Sequence, residues 1–239
     1  MALPKLKTPE FKLLIPSTQE EIRYRPFLVK EQKILMIAQE SEDEKNIGDA
    51  LNILVSECTF GEVNADKNPM FDVEYVFLQI RSKSVGSEVS LMITCPDDGE
   101  TQVEVKVNLE DIGVQRSVEH TDVIDLTEDI KIKFRYPRLS DVQGMPENIG
   151  EFERMTRLVN ICIESVESGG DIIHYIDMTS QEVDDFIDSF NSELLGYTNT
   201  RPNIFALLTE IFFILSKFLS TASDIFTESF ALGYLFICI

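Results

Sequence analysis

The chain has 239 residues, 44% of them hydrophobic, enough to bury the core of one substantial domain or two small ones. Its formal net charge of −21 disfavours nucleic-acid binding, which needs clustered Lys and Arg against phosphate, and disfavours an anionic membrane surface. The four cysteines, Cys58, Cys95, Cys162 and Cys238, have no metal-ligand spacing; three lie within apolar patterns, and a reducing cytoplasm fits them. Met1 to Lys12 is charged and rich in proline, so no cleavable signal sequence is expected there.

Phe11, Leu13 and Ile15 alternate with polar residues, and Ile22, Tyr24 and Pro26 follow a Pro16-Ser17-Thr18-Gln19 turn. Residues 10–26 therefore read as a β-hairpin. A helix is expected from about Lys30 to Gln39, carrying Ile34, Leu35, Ile37 and Ala38. Ser41 and Glu44 form a capping-box signature, and the helix they open aligns Ile47, Ala50, Leu51, Leu54, Val55 and Cys58 on one stripe. After a loop from Gly61 to Lys67, Asn68 suits an N-cap and Pro69 the first helical position. Val73, Val76, Phe77 and Ile80 then recur at helical spacing, and Arg81, Lys83 and Gly86 mark the end.

Strict alternation comes next. Val89, Leu91, Ile93 and Cys95 precede a Pro96-Asp97-Asp98-Gly99 turn, and Val103, Val105, Val107 and Leu109 follow it. The apolar sets share a face only if Ile93 sits opposite Val103 or Val105. That face is expected to be buried, with the preceding helix as the nearest cover. Val114 to Leu126 is weakly patterned and reads as irregular.

Ile130, Ile132, Phe134 and Tyr136 alternate with Lys131, Lys133 and Arg135, giving a strand with a basic outer face. That face is either a solvated surface paired with local carboxylates or a docking strip for an acidic partner. A helix is expected from Glu151 to about Val166, ended by Gly169-Gly170, and Thr179 with Glu182 caps another. Between Asp141 and Thr200 thirteen Asp and Glu stand against two Arg, an acidic surface able to steer a basic partner. No internal repeat stands out.

Residues 204–219 are apolar nearly all round, broken by Glu210 and Lys217. Phe205, Leu208, Phe212, Leu215 and Leu219 would line one side of a helix, and docking against protein fits better than crossing a membrane. The runner-up for this stretch is a membrane anchor over residues 204–239.

Signatures of catalysis are missing: there is no Gly-x-Gly-x-x-Gly, no P-loop and no Gly-x-Ser-x-Gly elbow. His120 and His174 have no accompanying nucleophile or metal pattern, and Asp97-Asp98-Gly99 lacks the ligands of a calcium loop. No enzymatic activity, cofactor or metal is expected.

The run Phe71-Asp72-Val73-Glu74-Tyr75-Val76-Phe77-Leu78-Gln79-Ile80-Arg81-Ser82-Lys83-Ser84-Val85-Gly86 resembles the baseplate hub assembly proteins of T-even-like tailed bacteriophages, the myoviruses. So do Cys95-Pro96-Asp97-Asp98-Gly99 and Tyr24-Arg25-Pro26-Phe27-Leu28-Val29-Lys30-Glu31. The likeness covers about residues 1 to 195. It implies a non-enzymatic factor that chaperones or nucleates the central hub of a contractile tail, with other tail or hub proteins as partners. Such a factor would work in the host cytoplasm during assembly; a structural hub subunit retained in the virion baseplate is the alternative. The expected fold is α+β, helices packed on antiparallel hairpins. Residues 1–200 would form one domain, with a β-rich hairpin subdomain over 88–136, and 201–239 an apolar helical segment.

Overall fold

The computed structural model describes residues 7–41, 43–94, 101–114, 121–146 and 149–190. The fold is α+β, as expected. Two compact units make it up: the described residues of Met1–Gln115 with Arg138–Gln143, and those of Arg116–Pro137 with Gly144–Ser216. Cys95 and the turn after it, His120, Cys238 and the whole of 201–239 lie outside the described residues.

In the first unit β1 (Phe11–Leu14) and β2 (Glu21–Tyr24) form the expected hairpin, with Leu13 opposite Ile22. Helices α1 (Val29–Glu40) and α2 (Glu44–Cys58) follow and pack together. The cap of α2 differs from expectation. Asp43, in extended conformation, accepts from the Lys45 N–H at 2.9 Å, while the Ser41 hydroxyl donates back to the Ala38 carbonyl and ends α1. Ala50, Leu51, Leu54, Val55 and Cys58 are buried along the predicted stripe.

Helix α3 (Met70–Val85) begins one residue later than its sequence suggests. Pro69 is the N-cap, and the Asn68 side chain instead accepts from the Asn64 N–H, closing the loop before it. Gly86 ends α3 at φ +113°, a conformation glycine adopts without strain. The helix is buried well beyond its Val73–Ile80 stripe: Asp72, Glu74, Leu78 and Ser82 are also enclosed.

Strands β3 (Glu88–Thr94) and β4 (Gln102–Asn108) pair in the expected register, Ile93 opposite Val103. Their apolar face is not buried as expected. At the base of the arm Val89 is 6% exposed and Leu109 is buried, and the 3-10 turn Leu109–Asp111 meets α3; further along the same face Val103 is 50% exposed. The short helix α4 (Leu139–Gln143) completes the unit: the Gln143 amide donates to the Lys45 carbonyl of α2 at 3.2 Å.

The second unit holds a four-stranded antiparallel sheet in the order β5 (Val123–Asp125), β6 (Ile130–Phe134), β7 (Ile163–Ser168), β8 (Asp171–His174). Strand β5 lies in the stretch read as irregular. The helix expected to reach Val166 stops at Cys162 as α5 (Glu151–Cys162), and β7 continues from it. A bulge explains the misreading. Phe134 pairs with Ile163 but Lys133 with Ser165, so one extra residue sits between them. Ile163 and Val166 thereby both turn inward three residues apart, a spacing that mimics a helix. Gly169-Gly170, read as a helix end, is the two-residue turn between β7 and β8, both at positive φ. Helix α6 (Ser180–Asp188) carries the predicted capping box: the Thr179 hydroxyl accepts from the Glu182 N–H, and Glu182 accepts from the Thr179 N–H at 2.8 Å.

One arrangement occurs twice, although no repeat was expected. Ile22-Arg23-Tyr24-Arg25 and Ile132-Lys133-Phe134-Arg135 each end a strand with the isoleucine and the aromatic ring buried. Leu54-Val55-Ser56-Glu57-Cys58 and Leu158-Val159-Asn160-Ile161-Cys162 each end a helix with Leu, Val and Cys buried. The Arg25 N–H donates to the Cys58 carbonyl at 2.9 Å, and the Arg135 N–H to the Cys162 carbonyl at 2.8 Å. In each corner the guanidinium then reaches the carbonyl of the next residue, Pro26 at 3.1 Å and Tyr136 at 3.2 Å. Three residues beyond each arginine, a helix-opening N–H is capped by an acid: Leu28 by Glu31, Arg138 by Asp141, both at 2.8 Å. The chain thus contains two versions of one corner, β2 tied to the end of α2 in the first unit and β6 tied to the end of α5 in the second.

Candidate functional site

Polar groups buried in the first unit serve the fold. Glu31 is 1% exposed, and burial alone would raise its pKa. The Arg25 guanidinium at 2.8 Å, the Leu28 N–H and the Lys30 ammonium outweigh that and hold the carboxyl below the ordinary range. Asp72 shows the opposite balance: burial raises its pKa despite hydrogen bonds from the Ser17 N–H and hydroxyl. Glu74 is enclosed and its Oε1 has no partner, so burial pushes it up to about 8 and keeps it protonated at neutral pH. Burial likewise lifts the Cys58 thiol to about 11, which leaves it unreactive. Among the described residues no His, Cys, Asp and Glu are grouped to hold a metal ion.

Surfaces suited to docking lie elsewhere. On the outer face of the four-stranded sheet, Asp125, Lys131, Glu167 and Ile172 stand in one cross-strand row, and Val123, Lys133, Ser165 and His174 in another. Lys131 and Lys133 of the predicted basic strip therefore do share a face. Each has a carboxylate nearby: Asp125 at 3.7 Å from Lys131, Glu164 at 3.1 Å from Lys133. Arg135 is not in the strip. It lies past the end of β6, half-buried, at the corner described above. The remaining predicted docking residues, Phe205, Leu208, Phe212, Leu215 and Leu219, fall outside the described residues.

Among the described residues, apolar side chains are exposed together in three places. The β3–β4 arm presents Val103 on the apolar face and Met92 on the other, each 50% exposed. Helix α1 presents Val29, Met36 and Ile37, with Met36 seven residues after Val29 and so about two turns along the same face. At the sheet edge, Ile172 and Ile173 of β8 and Ile176 just beyond are exposed, Ile176 at 89%. The sequence reading passed over these isoleucines. The signal that could have found them is a Gly-Gly pair between two short β-branched runs, which marks a hairpin. No described helix is long and apolar enough to cross a membrane.

No curated protein matches the chain and no solved structure does either. A family model does, described as T4 bacteriophage base plate protein, and it matches residues 8–199. That span holds both arginine corners, the β3–β4 arm, the four-stranded sheet and α6. The chain belongs to the T4 bacteriophage base plate protein family.

Proposed function

We propose that this chain is a non-enzymatic assembly factor that chaperones or nucleates the central hub of a contractile-tail baseplate. The observation that carries the reading is the β3–β4 arm, two seven-residue strands that, among the described residues, pair only with each other. An isolated two-stranded ribbon is marginal in water, so an arm with an apolar face beyond its base is suited to lie against another protein. The net charge of −21 keeps such a surface from self-association until a partner covers it. The apolar residues Phe205, Leu208, Phe212, Leu215 and Leu219 offer a second contact of the same kind. The chain would act in the host cytoplasm while the hub is built, with other hub proteins as partners.

Mass analysis of purified virions tests this reading. Absence of the chain from mature particles, with hubs missing from particles grown without it, supports the assembly role. Fixed copy number in the virion supports a structural hub subunit instead.

A further inference from the structure

The free edge of β8 bears on a partner that membership of the baseplate family does not specify. Ser168 and Asp171 flank the Gly169-Gly170 turn and form its hydrogen-bonded pair, and bonded and non-bonded pairs alternate from there. Asp171 and Ile173 thus direct their N–H and C=O groups to β7, whereas Ile172 and His174 direct theirs outward. Strand β8 is last in the sheet order, and all four of its residues are exposed. Among the described residues no turn or loop backbone group bonds to Ile172, whereas the His174 carbonyl caps the 3-10 turn Tyr175–Asp177, so His174 offers the edge its N–H.

Edges of this kind are usually blunted by lysine, proline or a bulge, and β8 carries none of them. Instead Ile172 and Ile173 offer an apolar contact on each face, 61% and 46% exposed. Charge selects the occupant. Asp171 and Asp177 are exposed beside the edge, within the stretch where thirteen acids meet two arginines. A second copy of the chain would bring like charges together. We propose that β8 accepts an extended segment of a partner protein in which apolar residues alternate with Lys or Arg, added as a further strand of the sheet.

The test uses the full chain and two synthetic heptapeptides, one alternating lysine with valine and one alternating glutamate with valine. Fluorescence anisotropy is expected to show saturable, salt-sensitive binding of the basic peptide and none of the acidic one. Amide exchange in the parent protein is expected to slow at Ile172 and His174 when the basic peptide is bound. Ile172→Pro removes one outward donor and leaves the β7–β8 ladder intact, so it should weaken binding about tenfold. The exchange measurement needs no variant and decides the matter if Ile172→Pro does not fold. Absence of basic-peptide binding, equal binding of both peptides, or unchanged exchange at Ile172 and His174 would overturn the proposal. So would a concentration-dependent dimer that protects the same amides without peptide.

Discussion

The two arginine corners begin alike and open onto different structures. After Cys58 the chain stops extending. The Thr59 hydroxyl donates to the Val55 carbonyl, the Gly61 N–H returns to the Ser56 carbonyl at 2.8 Å, and Phe60 and Gly61 both take positive φ. The next element is α3, enclosed by the first unit. After Cys162 the residues are Ile163-Glu164-Ser165-Val166, rich in β-branched side chains, and Ile163 is already extended. The chain runs straight into β7 and then into a strand with a free edge. The same corner therefore leads in one place to a closed core around a helix, and in the other to a sheet that remains open to addition.

If the corners are equivalent, truncating the matching leucines should cost alike. Leu54→Ala and Leu158→Ala, 1% and 3% exposed, are each expected to lose about 3 kcal/mol, read from denaturant unfolding. One neutral variant would break the equivalence. Arg25→Met probes what locks the first corner. It leaves the buried Glu31 carboxylate with Lys30 and the Leu28 N–H alone, a loss of about 3 kcal/mol, at the lower end for breaking a buried pair.

Buried Glu74 sharpens the contrast through pH. Its folded pKa of about 8 lies above the ordinary 4.5, so the folded state keeps a proton that the unfolded state has released. Stability from this group is fully present below pH 4.5 and is lost as pH rises towards 8. Relative to Glu74→Gln, the parent should lose about 2 to 3 kcal/mol between pH 5 and pH 7, measured by thermal melts at each pH. Glu31, whose pKa is lowered, contributes with the opposite sign, above its unfolded pKa, and loses that contribution as pH falls. Parallel pH profiles for parent and Glu74→Gln would show that Glu74 is hydrated. The smallest effect belongs to the arm. Val105→Asp should cost only about 1 kcal/mol because Val105 is half-buried, whereas Val89→Asp at the buried base should cost several times more.

Local signals read well wherever one period acted alone. The stripe of α2, the Ile93–Val103 register and the Thr179–Glu182 box could each be seen in the sequence. Reading failed where tertiary structure changed the meaning of a pattern. The bulge at β7 gave a strand helical spacing, and the alternation of the β3–β4 arm said which face is apolar but not whether anything covers it. Leu-Val-x-x-Cys and Ile-x-aromatic-Arg were present twice, yet short motifs carry little weight until hydrogen bonds of the same kind join them. The docking residues were the least legible. Lys131 and Lys133 lie beside carboxylates contributed by β5 and β7, strands that the sequence reading did not assign. Ile172, Ile173 and Ile176 stand out only because β8 ends the sheet.

Hydrogen exchange on the full chain, alone and mixed with the other baseplate proteins of the same phage, tests most directly whether the closed core is scaffold and the open surfaces bind. Added protection is predicted in the β3–β4 arm and at Ile172 and His174, with α2 and α3 unchanged. Protection gained in α2 and α3 with none in the arm or β8 would contradict the account.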